Sequence, residues 1–158
     1  MIDTPTILKT GHQLTAVIRL TIQRDAIRNV MGPGITELMA VVVSQGIGPA
    51  GAWFTHHFRI EPDLFDFEIG VPVTSEATPM GRVTPSYLPA VTVARTVYHG
   101  PYECLADAWG EFDAWIKANG HTPATDLWEC YVAGPETGSD STKWRTELNR
   151  PLVISGTQ

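Results

Sequence analysis

Residues 126 to 152, DLWECYVAGPETGSDSTKWRTELNRPL, set two glutamates, Glu129 and Glu147, among tryptophans and tyrosines in two strand-like runs. A carboxylate between aromatic walls suits a flat, lipophilic cation. The rings stack on such a molecule and turn their negative faces to it, and the charge pair strengthens where water is excluded. Alternation along a strand sends Trp128 and Cys130 to one face and Glu129 and Tyr131 to the other; on the last run Trp144, Thr146 and Leu148 oppose Arg145, Glu147 and Asn149. Paired as a hairpin, the two runs are expected to bring the carboxylates near one another. The competing expectation is a solvated face, with the glutamates paired to Arg145 and Arg150.

Other reactive side chains give weaker signals. His56 and His57 are adjacent in a strand-like run, so they point to opposite faces and do not share a metal readily, and His12, His99 and His121 add no ligand spacing. No metal site and no cofactor are expected. Cys104 and Cys130 lack a CxxC spacing and read as reduced packing residues. GIGPAG at 46 to 51 matches GxGxxG by letters, but it follows a helix and contains Pro49, so it reads as a loop.

The elements that must carry these residues follow from hydrophobic period. QLTAVIRLTIQ at 13 to 23 is β-branched and strand-like, whereas Met31, Ile35, Leu38 and Val42 share one helix face. Gly32-Pro33-Gly34 interrupts that pattern, so the regular helix is expected to start or restart near Pro33. Two further strands, 52 to 59 and 64 to 73, are joined by a turn containing Pro62 and Asp63. From Ala90 the order recurs: a strand, a helix from about Pro101 to Asn119, then the two glutamate-bearing strands. Leu105, Trp109, Phe112 and Ile116 lie 74 residues after Met31, Ile35, Leu38 and Val42, and Glu147 lies 79 after Glu68, so the last hairpin carries five extra residues. The expected fold is α+β: duplicated β-α-β-β units, about 12–74 and 89–153 with a linker at 75–88, forming a pseudo-twofold antiparallel-sheet domain with two main helices and a concave ligand cleft.

Composition narrows the function. In 158 residues, eleven Lys and Arg against seventeen Asp and Glu give a formal net charge of -6, which disfavours phosphate backbones and anionic membranes. No run approaches a membrane span and the N-terminus lacks a signal-peptide plan, so a cytoplasmic location is expected, with no direct nucleic-acid or membrane partner.

LPAVTVARTVYHGPYECLADAW, WECYVAGP, WRTELNRPL and FDFEIGVPV together resemble the GyrI-like small-molecule-binding domain, also found as the effector-binding domain of AraC-type and MerR-type regulators, across about residues 10 to 153. The resemblance implies a pocket for lipophilic aromatic, often cationic, compounds. It implies Glu129 and Glu147 as the groups that meet the cation, Tyr102 and Tyr131 as cleft walls, then Trp53, Trp109 and Trp144, with Glu68 a candidate by repeat symmetry. The regulators place a DNA-binding domain ahead of this module and this sequence has none, so a stand-alone binder is expected. The alternative is a hydrolase that opens the cyclopropane rings of DNA-alkylating natural products, with Glu147 or Glu129 as general base and Tyr102 or Tyr131 as hydrogen-bond donor, Glu147 and Tyr131 being the first choice. A gyrase or regulator partner ranks last, for want of a contiguous apolar patch.

Overall fold

In a computed structural model, residues 2–60 and 63–153 are described; Pro62, expected in a turn, falls outside them. They form nine strands and two α-helices: β1 (Thr6–Lys9), β2 (Gln13–Gln23), α1 (Ile27–Ser44), β3 (Phe54–Ile60), β4 (Leu64–Pro72), β5 (Val83–Leu88), β6 (Thr92–His99), α2 (Leu105–Ala118), β7 (Thr122–Pro123), β8 (Leu127–Ala133) and β9 (Arg145–Val153). All their pairings within the two units below are antiparallel, so the fold is α+β. None of the helices is long and apolar enough to cross a membrane. The chain divides into two compact units, an N-unit of Gly11–Ala90 and a C-unit of Val91–Gln158 with Met1–Thr10.

In the N-unit the strands lie in the order β5-β2-β4-β3. Ala16 and Ile18 of β2 and Phe67, Ile69 and Val71 of β4 alternate onto the face that meets Leu38, Val41 and Val42 of α1, and these residues form its core. A Cβ at Gly34 would lie 2.7 Å from Ile69 Cδ1, so a glycine lets the helix come this close to the sheet.

Two expectations need correction in this unit. The helix runs unbroken from Ile27 through Pro33, after a 3₁₀ turn at Arg24–Ala26. Proline removes the donor for the Asn29 carbonyl, but Asn29 is exposed to water, and Met31 and Ile35 on either side pack against one core that holds the helix together. Residues 83–88, expected as linker, form β5 on β2. Pro85 masks a strand signal, and it is tolerated because β5 is at the end of the N-unit's strand order.

In the C-unit the order is β1-β6-β9-β8, with β7 on β9. Ala108, Phe112 and Ile116 of α2 pack onto Ala94, Tyr98 and Leu148, with Leu105 and Trp109 partly buried beside them. The two hairpins match residue for residue. Phe54, Thr55, His56 and His57 stand opposite Gly70, Ile69, Glu68 and Phe67; Trp128, Glu129, Cys130 and Tyr131 stand opposite Asn149, Leu148, Glu147 and Thr146. The offsets are again 74 and 79. Even the register shift recurs, between His57 and Arg59 and between Tyr131 and Ala133, so that Phe58 and Val132 are the bulged residues.

Candidate functional site

Glu129 sits in the middle of β8 with its side chain on the face that α2 covers, and it is only 7% exposed. Two donors reach it: Trp109 Nε1 at 2.5 Å from Oε2 and Tyr131 Oη at 2.6 Å from Oε1. Tyr131 arrives by alternation two residues along the same strand, and Trp109 by its place on the buried stripe of α2. Among the described residues no cation pairs with Glu129. Burial therefore raises its pKa, against the lowering effect of the Tyr131 and Trp109 hydrogen bonds. A buried carboxyl with two donors and no counter-charge is a poised site for a cation, since an incoming positive charge supplies what burial removed.

The surrounding walls are aromatic. Tyr102, in a 3₁₀ turn just ahead of α2, meets Tyr131 edge-on at 5.8 Å and Trp144 at 5.2 Å between centroids. Trp109 packs on Phe112 at 5.6 Å. The longer hairpin loop closes around them: Trp144 Nε1 donates to the Gly138 carbonyl at 3.1 Å, and Gly134 approaches the Tyr102 hydroxyl so closely that a Cβ there would collide with it. Burial, then the charges of Glu136 and Glu129, raise the Tyr102 phenol pKa. Glu129, Tyr131, Tyr102, Trp109 and Trp144 thus belong to one cluster within the C-unit.

Glu147 does not join it. Cys130 stands opposite Glu147, and Glu129 opposite Leu148, so the two carboxylates point to opposite faces of the sheet. The expectation that the hairpin brings them together is overturned, and so is the pairing of Glu147 with Tyr131 as base and donor. The expected ion pairs with Arg145 and Arg150 are not the ones formed either. Glu147 Oε1 lies 3.4 Å from Arg95 Nε and accepts from Asn149 Nδ2 at 3.1 Å, while Arg95 Nε donates to Asn149 Oδ1 at 2.7 Å. Beside this cluster the Cys130 thiol is pushed up to about 12 by burial and by Glu147, which leaves it inert.

Trp53 and Glu68 lie in the N-unit. Trp53 packs against that unit's core. Glu68 stands between Arg19 and His56 in register, its pKa raised by burial and lowered again by those two neighbours. His56 and His57 face opposite sides, opposite Glu68 and Phe67 respectively. His57 stacks on Phe67 at 5.0 Å with Nδ1 buried and unbonded, and its pKa falls to about 4, chiefly through burial.

One residue the sequence did not single out belongs to the Glu129 face: Thr146, fully buried, opposite Tyr131 on one side and Tyr98 on the other, with its hydroxyl unbonded. The register brings it there, and the repeat offset relates the two hairpins to each other without setting the pairing within either.

A family model described as the GyrI-like small molecule binding domain matches residues 16–152. No curated protein matches the sequence. Among solved structures, the EcmrR C-terminal domain superposes with TM-score 0.82 at 20% identity, over 95% of this chain and 97% of that one. In the EcmrR–DNA complex the matching protein is longer, and this chain spans 57% of it. A hydrolase from Listeria innocua superposes with TM-score 0.64 at 10% identity over 94% of this chain and 91% of its own. SAV2435 bound to tetraphenylphosphonium does so with TM-score 0.65 at 13% identity, over 96% and 94%. At these identities the likeness is one of fold.

Proposed function

The chain belongs to the GyrI-like small-molecule-binding domain family, and from that premise we propose that it binds lipophilic aromatic cations at Glu129 and sequesters them. The observation that carries the proposal is a carboxyl buried to 7% exposure, held by Trp109 and Tyr131 and walled by Tyr102 and Trp144, without a cation of its own. Stacking and cation-π contact supply affinity there, and the charge pair supplies selection against neutral compounds. The fold neighbour that holds tetraphenylphosphonium supports this class of ligand. Nucleic acid and membrane have no part in the proposed role, which is carried out in the cytoplasm.

A fluorescence titration with rhodamine 6G tests it. Wild type is expected to bind saturably, Glu129→Gln to lose about tenfold or more in affinity, and Glu147→Gln to lose far less because Arg95 already occupies that carboxylate. Binding should also strengthen as pH rises through the raised pKa of Glu129, because only the ionised form attracts the cation. Equal losses in the two variants, or a flat pH profile in wild type together with full binding by Glu129→Gln, would remove Glu129 from the site.

A second reading rests on the Tyr131–Glu129 contact and the hydrolase among the fold neighbours. Here ionised Glu129 takes a proton from water, the hydroxide oxygen bonds to a cyclopropane carbon, and the breaking ring bond sends its electron pair to a conjugated carbonyl oxygen that Tyr102 stabilises. Ring-opened product at many equivalents per protein marks a hydrolase; recovery of the intact compound marks a binder.

A further inference from the structure

In the C-unit, the turn between β6 and α2 is built around one phenol. Tyr98 of β6 is buried in the same core as Ala94, Ala108 and Leu148, and its Oη donates to the Pro101 carbonyl at 2.9 Å. Cys104 N donates to the same carbonyl at 3.3 Å. Between strand and helix Gly100 takes φ +143°, and a Cβ there would lie 2.7 Å from Tyr98 Oη, so a glycine lets the chain fold back over the ring. The Pro101 carbonyl belongs to the peptide that leads into Tyr102. Fixing that carbonyl fixes where the Tyr102 side chain starts. One residue back, Gly100 N donates to the Trp144 carbonyl at 3.1 Å. Both rings of the pair that meets at 5.2 Å are therefore tied to the Gly100-Pro101 dipeptide, and the Tyr98 phenol holds that dipeptide to the core.

The N-unit shows that the fold does not require this bond. Arg19 stands opposite Glu68 and Val97 opposite Glu147, so Leu20 is the counterpart of Tyr98. Leu20 packs against the N-unit core with no hydroxyl to donate, and β2 runs on to Gln23 before the 3₁₀ turn that leads into α1. A strand-to-helix connection forms there with a leucine in this place. In the C-unit the strand stops at His99, and the phenol bond stands next to the aromatic walls of the Glu129 cluster. We infer that Tyr98 is a positioning residue for ligand binding, its hydroxyl fixing Tyr102 against Trp144 in the orientation on which a flat cation stacks. This rests on the binding role proposed for Glu129. Tyr98 then raises affinity without touching the ligand, because a ring that is already fixed does not have to be ordered when the ligand arrives.

A double-mutant cycle separates positioning from packing. Rhodamine 6G is titrated into wild type, Tyr98→Phe, Tyr102→Ala and the double variant, with a thermal melt of each. Phenylalanine keeps the buried ring, and Cys104 N still satisfies the Pro101 carbonyl, so Tyr98→Phe is expected to fold. It should weaken binding about fivefold, the scale of one hydrogen bond, and have no further effect once Tyr102 is alanine, because the ring it positions is gone. The pH at which binding strengthens is set by Glu129 and should not move in Tyr98→Phe. Unchanged affinity in Tyr98→Phe, whatever its melting temperature, or the same fivefold loss with Tyr102→Ala as without it, would overturn the inference while leaving Glu129 as the cation site. Failure of wild type to bind rhodamine 6G would overturn both.

Discussion

Glu129 carries a conflict between stability and binding. Its pKa in the folded protein lies above the ordinary carboxyl value, so the fold holds a proton that the unfolded chain releases. The stability tied to that proton is fully present at low pH and is lost as pH rises through the raised pKa. Glutamine cannot ionise, and it keeps both contacts: its carbonyl accepts from Trp109, and its amide donates to Tyr131 once the phenol turns. Glu129→Gln is therefore expected to melt above wild type at pH 8, by about 2–4 °C for each kcal/mol recovered, with the gap closing toward pH 4. Thermal melts across that range check it. A lower melting point at pH 8 would mean that the carboxylate is stabilised in its charged form.

At the scale of elements, helix α1 keeps a proline in its interior for no gain visible in its packing. Pro33 is exposed and Gly34, not Pro33, makes the close approach to Ile69. Pro33→Ala should restore a hydrogen bond to the Asn29 carbonyl and stabilise the N-unit by about 1–3 kcal/mol, read as a shift in the urea midpoint without a change in slope. The elements were legible where period was strong. The stripes Met31 to Val42 and Leu105 to Ile116 announced both helices, and the β-branched and aromatic runs announced the long strands. Helix continuity through Pro33 was not, because packing on both sides of a breaker is a tertiary effect. Nor was the sharing of faces. Alternation ranks residues within a strand, but which residue of β9 stands opposite Glu129 depends on the pairing, and a shift of one residue reverses the answer. Of the candidate residues named from the sequence, Glu129, Tyr131, Tyr102, Trp109 and Trp144 stand in one cluster, whereas Glu147, named with them for its similar run and for the family resemblance, faces the other side of the sheet.

At the scale of the whole molecule, two buried groups tilt stability in opposite directions with pH. His57 in the N-unit is neutral when folded, with a pKa near 4 against 6.5 for the free side chain, lowered by burial and then by His56 and Arg24. The unfolded chain binds the extra proton between those values, so this stability is present above pH 6.5 and drains away toward pH 4, amounting to about 3 kcal/mol in full. Glu129 in the C-unit works the other way, losing stability as pH rises. Wild type should have a stability maximum between the two regimes. His57→Phe should flatten the acid limb and leave the alkaline limb unchanged, in denaturant titrations at stepped pH; an acid limb as steep as before would place the proton uptake elsewhere.

The indole N–H of Trp109 ends on the carboxylate of Glu129. A tryptophan whose ring nitrogen is tied to an ionisable acid emits differently when that acid gains a proton, and differently again when a cation draws the carboxylate away. The chain thus contains its own optical reporter for the state of the site, readable without any dye. Of its five tryptophans, replacing Trp109 alone with phenylalanine should remove most of the emission change that accompanies acid titration and ligand addition, and the four that remain would serve as the internal standard.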